Sequence, residues 1–122
     1  AVARSVSMEM LSGFRAIRNA CPMNIRRPKG KIALADGVMA DVMRIETIFR
    51  DLREQSGGPF LFGGFSAADA MFAPVINRFD VYDLVTSSET LSYMAAVKAR
   101  PAWVKWEEAA RAEPWIVPHD EV

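Results

Sequence analysis

The chain has 122 residues, 51% apolar and 25% charged, which suits one domain around a single core and excludes a disordered segment. Its 15 Lys and Arg balance 15 Asp and Glu, so no global charge calls for nucleic acid or an acidic membrane surface. The single cysteine, Cys21, excludes an internal disulfide framework and fits a reducing, cytoplasmic setting. With His119 the only histidine, the chain carries too few soft ligands for a zinc site, and no metal is expected. No apolar run is long enough to span a membrane, and no signal-peptide pattern opens the chain. The first residue is Ala1 rather than Met, which suggests a processed or excised piece.

The pattern then reads as helix after helix. From about Ala3 to Ala20, Met8, Leu11, Phe14 (or Arg15) and Ile17 recur near a 3.6 period, and Pro22 ends the helix. Cys21 to Lys31 reads as a loop, its Arg26, Arg27, Lys29 and Lys31 as solvated charges rather than a phosphate patch, because no aromatics interleave them. The longest helix is expected from about Ile32 to Gln55. Val38, Val42, Ile45, Phe49 and Leu52 form its apolar seam, while Met39, Met43 and Ile48 suggest a second packed face. Ser56-Gly57-Gly58-Pro59 stops it, and Phe60-Leu61-Phe62 forms a short apolar arm.

Ser66-Ala67-Ala68-Asp69 is a capping box with Asp in the place usually held by Glu or Gln. It opens a helix to about Leu84 whose Phe72, Val75, Ile76, Phe79 and Tyr82 surround much of the circumference, the pattern of a buried central helix. Pro74 is expected to kink it. Thr86-Ser87-Ser88-Glu89 reads as a second capping box for a helix to about Ala99, and Pro101 as the first residue of a last helix. Trp103, Val104, Trp106 and Ala110 are expected to face inward there, and Glu113-Pro114 ends it. The fold class is therefore all-α, a bundle of about five helices over residues 1–122.

Chemistry is scarce in this pattern. There is no phosphate loop, dinucleotide fingerprint or nucleophile elbow. His119 lies in a polar tail, and Cys21 follows a helix C-terminus, where the negative dipole end raises a thiol's pKa. Trp103, Trp106 and Trp115 are read as core packing in a small bundle.

Phe60-Leu61-Phe62-Gly63-Gly64-Phe65-Ser66-Ala67-Ala68-Asp69-Ala70 resembles the signature of the C-terminal helical domain of glutathione S-transferases, of bacterial type. Phe14-Arg15-Ala16-Ile17-Arg18 leading to Cys21-Pro22-Met23-Asn24 agrees, as do Met71-Phe72-Ala73-Pro74-Val75 and Arg100-Pro101-Ala102-Trp103. The resemblance covers essentially the whole chain. It implies that a thioredoxin-like N-terminal domain, which binds glutathione and holds the catalytic Ser, Tyr or Cys, lies outside these residues. The helical half would then form the wall for a small hydrophobic electrophile, in a cytoplasmic homodimer that serves detoxification. The residues implied for that wall are Ser7, Leu11, Phe14, Arg15 and Arg18 on the first helix, and Arg78 and Tyr82 on the central one. Leu11 stands where some bacterial classes carry a histidine, and Arg78 where some carry a pocket tryptophan. An arginine at 78 suits a carboxylate of glutathione or of the acceptor, and for Arg15, Arg18 and Arg78 alike the alternative is a domain-interface salt bridge. No catalytic residue and no turnover are expected of these 122 residues alone. The family also contains non-catalytic members whose helical domain serves assembly, so a scaffold module is the alternative.

Overall fold

A computed structural model describes residues Ala1–Val122 as α1 (Val2–Ser12), α2 (Arg15–Ala20), α3 (Val38–Ser56), α4 (Ala67–Val81), α5 (Ser88–Lys98) and α6 (Pro101–Ala112), with a 3₁₀ turn at Pro118–Asp120. The protein is all-helical, its only extended pairing being two isolated bridges in the Phe60–Gly64 arm. In the packing, α1 lies on α4, α2 on α3, and α5 against α3, α4 and α6. No helix is long and apolar enough to cross a membrane.

The core sits around α4, whose Phe72, Val75, Ile76 and Phe79 are essentially inaccessible. Phe49 of α3 meets it edge-on, with ring centroids 5.3 Å from Phe72 and 6.2 Å from Phe79, and lies 4.7 Å from Tyr93 of α5. Three helices are therefore joined through one ring. Val38, Val42, Ile45 and Leu52 follow Phe49 into the core along the expected seam. Ile48 joins them, but Met39 and Met43 are 47% and 65% exposed, so α3 buries one broad stripe rather than two faces.

The capping box of α4 is the polar centre of this core. Asp69 is fully buried, and its Oδ2 accepts from Ser66 N at 2.9 Å and Ser66 Oγ at 3.2 Å. Its Oδ1 accepts from Leu61 N at 3.1 Å and from the Tyr93 hydroxyl at 2.7 Å. A buried carboxylate is tolerated only when its lone pairs are filled, and here four donors fill them. Burial, and then the bond to Asp69, push the Tyr93 phenol well above its ordinary range.

Four boundaries differ from the sequence expectation, each for a local reason. The first helix is two helices, because Gly13 packs where a Cβ would lie 2.7 Å from Glu9 O and Phe14 adopts a left-handed conformation with φ of 59°. The long helix begins at Val38 rather than Ile32, since Gly37 has φ of 87°, which side chains disfavour. The central helix runs through Pro74 and stops at Val81 in a Schellman turn: Leu84 N donates to Phe79 O at 3.0 Å, Asp83 N to Asp80 O at 3.2 Å, and Asp83 is left-handed. The cap of α5 is Ser87, which accepts from Thr90 N, and not Thr86 with Glu89. Thr90 uses its own hydroxyl to bond Glu46 of α3 at 2.7 Å, so the residue at the third helical position ties α5 to α3 instead of closing a box.

Side chains expected inward on α6 divide. Trp103 is buried, whereas Val104 and Trp106 are 42% and 45% exposed, because α6 has α5 as its main helical neighbour and lies at the edge of the bundle. Trp115, 73% exposed in the tail, is outside the core as well.

Candidate functional site

The α1–α2 elbow makes an open cleft lined by Leu11, Ser12, Arg15, Arg18 and Asn19, with no acidic side chain among them. Helix α1 has no continuation to satisfy its last carbonyls, so a side chain of its own, the Gly13 amide and an arginine of α2 do so. Ser12 Oγ donates to Met8 O at 2.8 Å, Gly13 N to Glu9 O at 2.8 Å, and Arg18 Nη1 to Leu11 O at 2.9 Å. A left-handed non-glycine residue costs about 1–2 kcal/mol, comparable with what burying the Phe14 ring returns. Phe14 is 8% exposed and anchors the elbow in the core. Helix α2 has no side-chain cap of its own, and Asp41 of α3 supplies one from outside, accepting from Ile17 N at 3.1 Å.

This elbow leaves Leu11 56% exposed with Arg15 and Arg18 beside it. Arg15 forms no ion pair within the chain, and Arg18 is bonded only to backbone carbonyls. The one acid of α1, Glu9, is held by Arg44 of α3 through two bonds of 2.9 and 3.0 Å. That hydrogen bonding keeps the Glu9 carboxyl below its usual range against the opposing effect of burial. The cleft therefore keeps its positive charge.

The remaining expected residues lie elsewhere. Ser7 is half-buried on α1. Tyr82 is 1% exposed, donates to Pro22 O at 2.8 Å, and carries the Arg27 guanidinium 4.7 Å over its ring. Arg78 Nε donates to Cys21 O at 2.7 Å, so Arg78 and Tyr82 together hold the start of the Cys21–Lys31 loop on α4. Burial first, and then the charge of Arg18, push the Arg78 guanidinium below its ordinary value. Leu11, Arg15 and Arg18 are thus brought together, Arg78 is engaged with the Cys21 loop, and Phe14 and Tyr82 are buried. Cys21 is fully buried, and its thiol is raised chiefly by burial, against the charges of Arg78 and Arg27. No three His, Cys, Asp or Glu side chains converge as a metal site would require.

The basic loop is more engaged than its composition suggests. Arg26 donates to the carbonyls of Glu113 and Trp115, and Arg27 Nε to Val122 O at 3.1 Å. Lys29 pairs with Asp80 at 3.1 Å and Lys31 with Asp83 at 3.4 Å. Arg26 and Arg27 tether the C-terminal tail, and no local signal marks them for it, because their acceptors are backbone carbonyls some 90 residues away. His119 is exposed in that tail beside Asp120.

A family model described as the C-terminal domain of glutathione S-transferase matches residues 26–109, more than two thirds of the chain. The matched stretch spans α3 to most of α6, and the α1–α2 elbow precedes it. No curated protein and no solved structure matches significantly.

Proposed function

Because the chain belongs to the glutathione S-transferase C-terminal domain family, we propose that it forms the wall against which a small hydrophobic electrophile lies while glutathione attacks it. One observation carries this reading: Leu11, 56% exposed at the elbow, opens into a cleft flanked by Arg15 and Arg18 and free of acids. Leu11 gives the electrophile its apolar contact, and the buried Phe14 anchors the elbow that presents it. Arg15 and Arg18 present unneutralised guanidinium groups to carboxylates of the tripeptide or to charge developing on the leaving group. Arg78 and Tyr82 position the loop behind them.

The thiol chemistry belongs to a thioredoxin-like domain in this reading. That domain hydrogen-bonds the glutathione thiolate and lowers its pKa. The thiolate forms the carbon–sulfur bond, the leaving group departs with the electron pair, and the helical wall contributes proximity. The exposed Met39 and Met43 of α3 offer apolar surface for a second copy in a cytoplasmic homodimer. Cys21 does not suit that chemistry, since it is buried with its thiol pushed up.

The 122-residue chain, mixed with glutathione and a chloro-dinitroaromatic electrophile, is therefore expected to give no thioether above the buffer rate. The same chain joined to a thioredoxin-like, glutathione-binding domain is expected to turn over. Turnover by the chain alone, or none by the joined protein, would overturn the proposal.

A further inference from the structure

We propose that the hollow between α6, the Met23–Arg26 loop and the C-terminal tail is a binding site for a small aromatic cation. Its apolar walls are Met23, Ile25, Trp106, Ala110, Trp115 and Val117, and it encloses about 200 Å³. An apolar cavity of ~150 Å³ takes a benzene ring, so this hollow suits a ligand of one or two rings. It shares no lining residue with the elbow cleft and is independent of the conjugation reading.

The walls are held from outside the hollow. Trp106 packs edge-to-face on the buried Trp103, with centroids 5.1 Å apart and planes at 79°, and Trp103 Nε1 donates to Glu107 at 3.2 Å. The tail is fastened through its backbone: Arg26 takes the carbonyls of Glu113 and Trp115, Asn24 Nδ2 that of Asp120 at 3.4 Å, and Arg27 that of Val122. Anchoring by carbonyls leaves the Trp115 and Val117 side chains unengaged at the hollow. Two indoles therefore stand 45% and 73% exposed around one small space. Indole surface of that extent is the kind that a flat ligand covers.

Charge selects the ligand's sign. Glu113, Asp120 and Glu121 line the hollow against one cation, Arg26, so its lining is acidic on balance. Glu113 and Glu121 form no ion pair, and Asp120 meets His119 at 3.5 Å. Exposed indoles beside the unpaired carboxylates of Glu113 and Glu121 attract an ammonium or pyridinium on an aromatic ring and repel an aromatic acid.

The test is a titration of the full chain's tryptophan emission with phenyltrimethylammonium and, in parallel, with benzenesulfonate. The cation is expected to give a saturable change with affinity at least about tenfold above the sulfonate's, and to weaken with salt. Trp115→Ala, a substitution at an exposed residue, is expected to weaken the cation by about tenfold, with Trp106 still reporting. Glu113→Gln with Glu121→Gln is expected to remove most of the preference for the cation. Circular dichroism establishes that each variant is folded. Absence of saturation by phenyltrimethylammonium, equal affinity for the two probes, or unchanged affinity in a folded Trp115→Ala chain would each overturn the assignment.

Discussion

Asp69→Ala is expected to lower stability by about 3–5 kcal/mol, the range for deleting one partner of a buried, hydrogen-bonded charged network. The carboxylate is fully buried and receives four donors: Leu61 N, Ser66 N, Ser66 Oγ and the Tyr93 hydroxyl. An alanine leaves these groups without an acceptor, and each buried orphan costs about 1–3 kcal/mol. It also removes the cap of the central helix, worth about 1 kcal/mol. Domains of this size have only about 5–15 kcal/mol to lose, so the variant should melt roughly 10–20 °C lower. Tyr93→Phe provides the scale, since it removes one donor and leaves three, and about 1 kcal/mol is expected of it. Thermal unfolding by circular dichroism reads both. An Asp69→Ala protein within about 1 kcal/mol of the parent would show that the box is ornamental.

Phe49→Ala is expected to cost about 3–5 kcal/mol for a different reason, the cavity left by an aromatic ring at a junction. Phe49 is 1% exposed and touches Phe72 and Phe79 of α4 and Tyr93 of α5. Its removal unpins α3 from both, and the rigid walls around the gap cannot collapse fully. Met43→Ala on the same helix is the control: Met43 is 65% exposed and should change stability by no more than about 0.5 kcal/mol. Urea unfolding distinguishes the two. A Phe49→Ala midpoint matching that of Met43→Ala would contradict the packing described.

The two residues also show what was legible before the fold was known. The Ser66–Asp69 box and the seam through Phe49 are local patterns, set by residue types at fixed spacing, and they placed α4 and the buried stripe of α3 correctly. The elbow was not legible. It depends on the close approach of Gly13 to Glu9 O, on a left-handed Phe14, and on a cap that Asp41 lends to Ile17 from 24 residues away. Periodicity sees none of these, so Ala3–Ala20 read as one helix. The shift of the α5 cap from Thr86 to Ser87 came from three adjacent hydroxyl residues competing for one role, decided by the tie between Thr90 and Glu46. Tyr82 read as one of the apolar residues of a buried central helix, and it is buried, but helical spacing does not show that a loop from Cys21 and Pro22 folds over it. Trp106 and Trp115 read as core because aromatic residues usually are. Their exposure follows from α6 being an edge helix and from a tail fastened only by its carbonyls.

The direct test of the central claim, that the elbow is the electrophile's wall, is the pair of Michaelis constants in the protein joining this domain to its glutathione-binding half. Burying a leucine is worth about 1.5–3 kcal/mol, so Leu11→Ala, which leaves the charge of the cleft unchanged, should raise the KM for an aromatic electrophile about tenfold. The KM for glutathione should stay within about twofold, because the tripeptide is held mainly by the other domain. An unchanged electrophile KM, or an equal rise in both constants, would contradict the account.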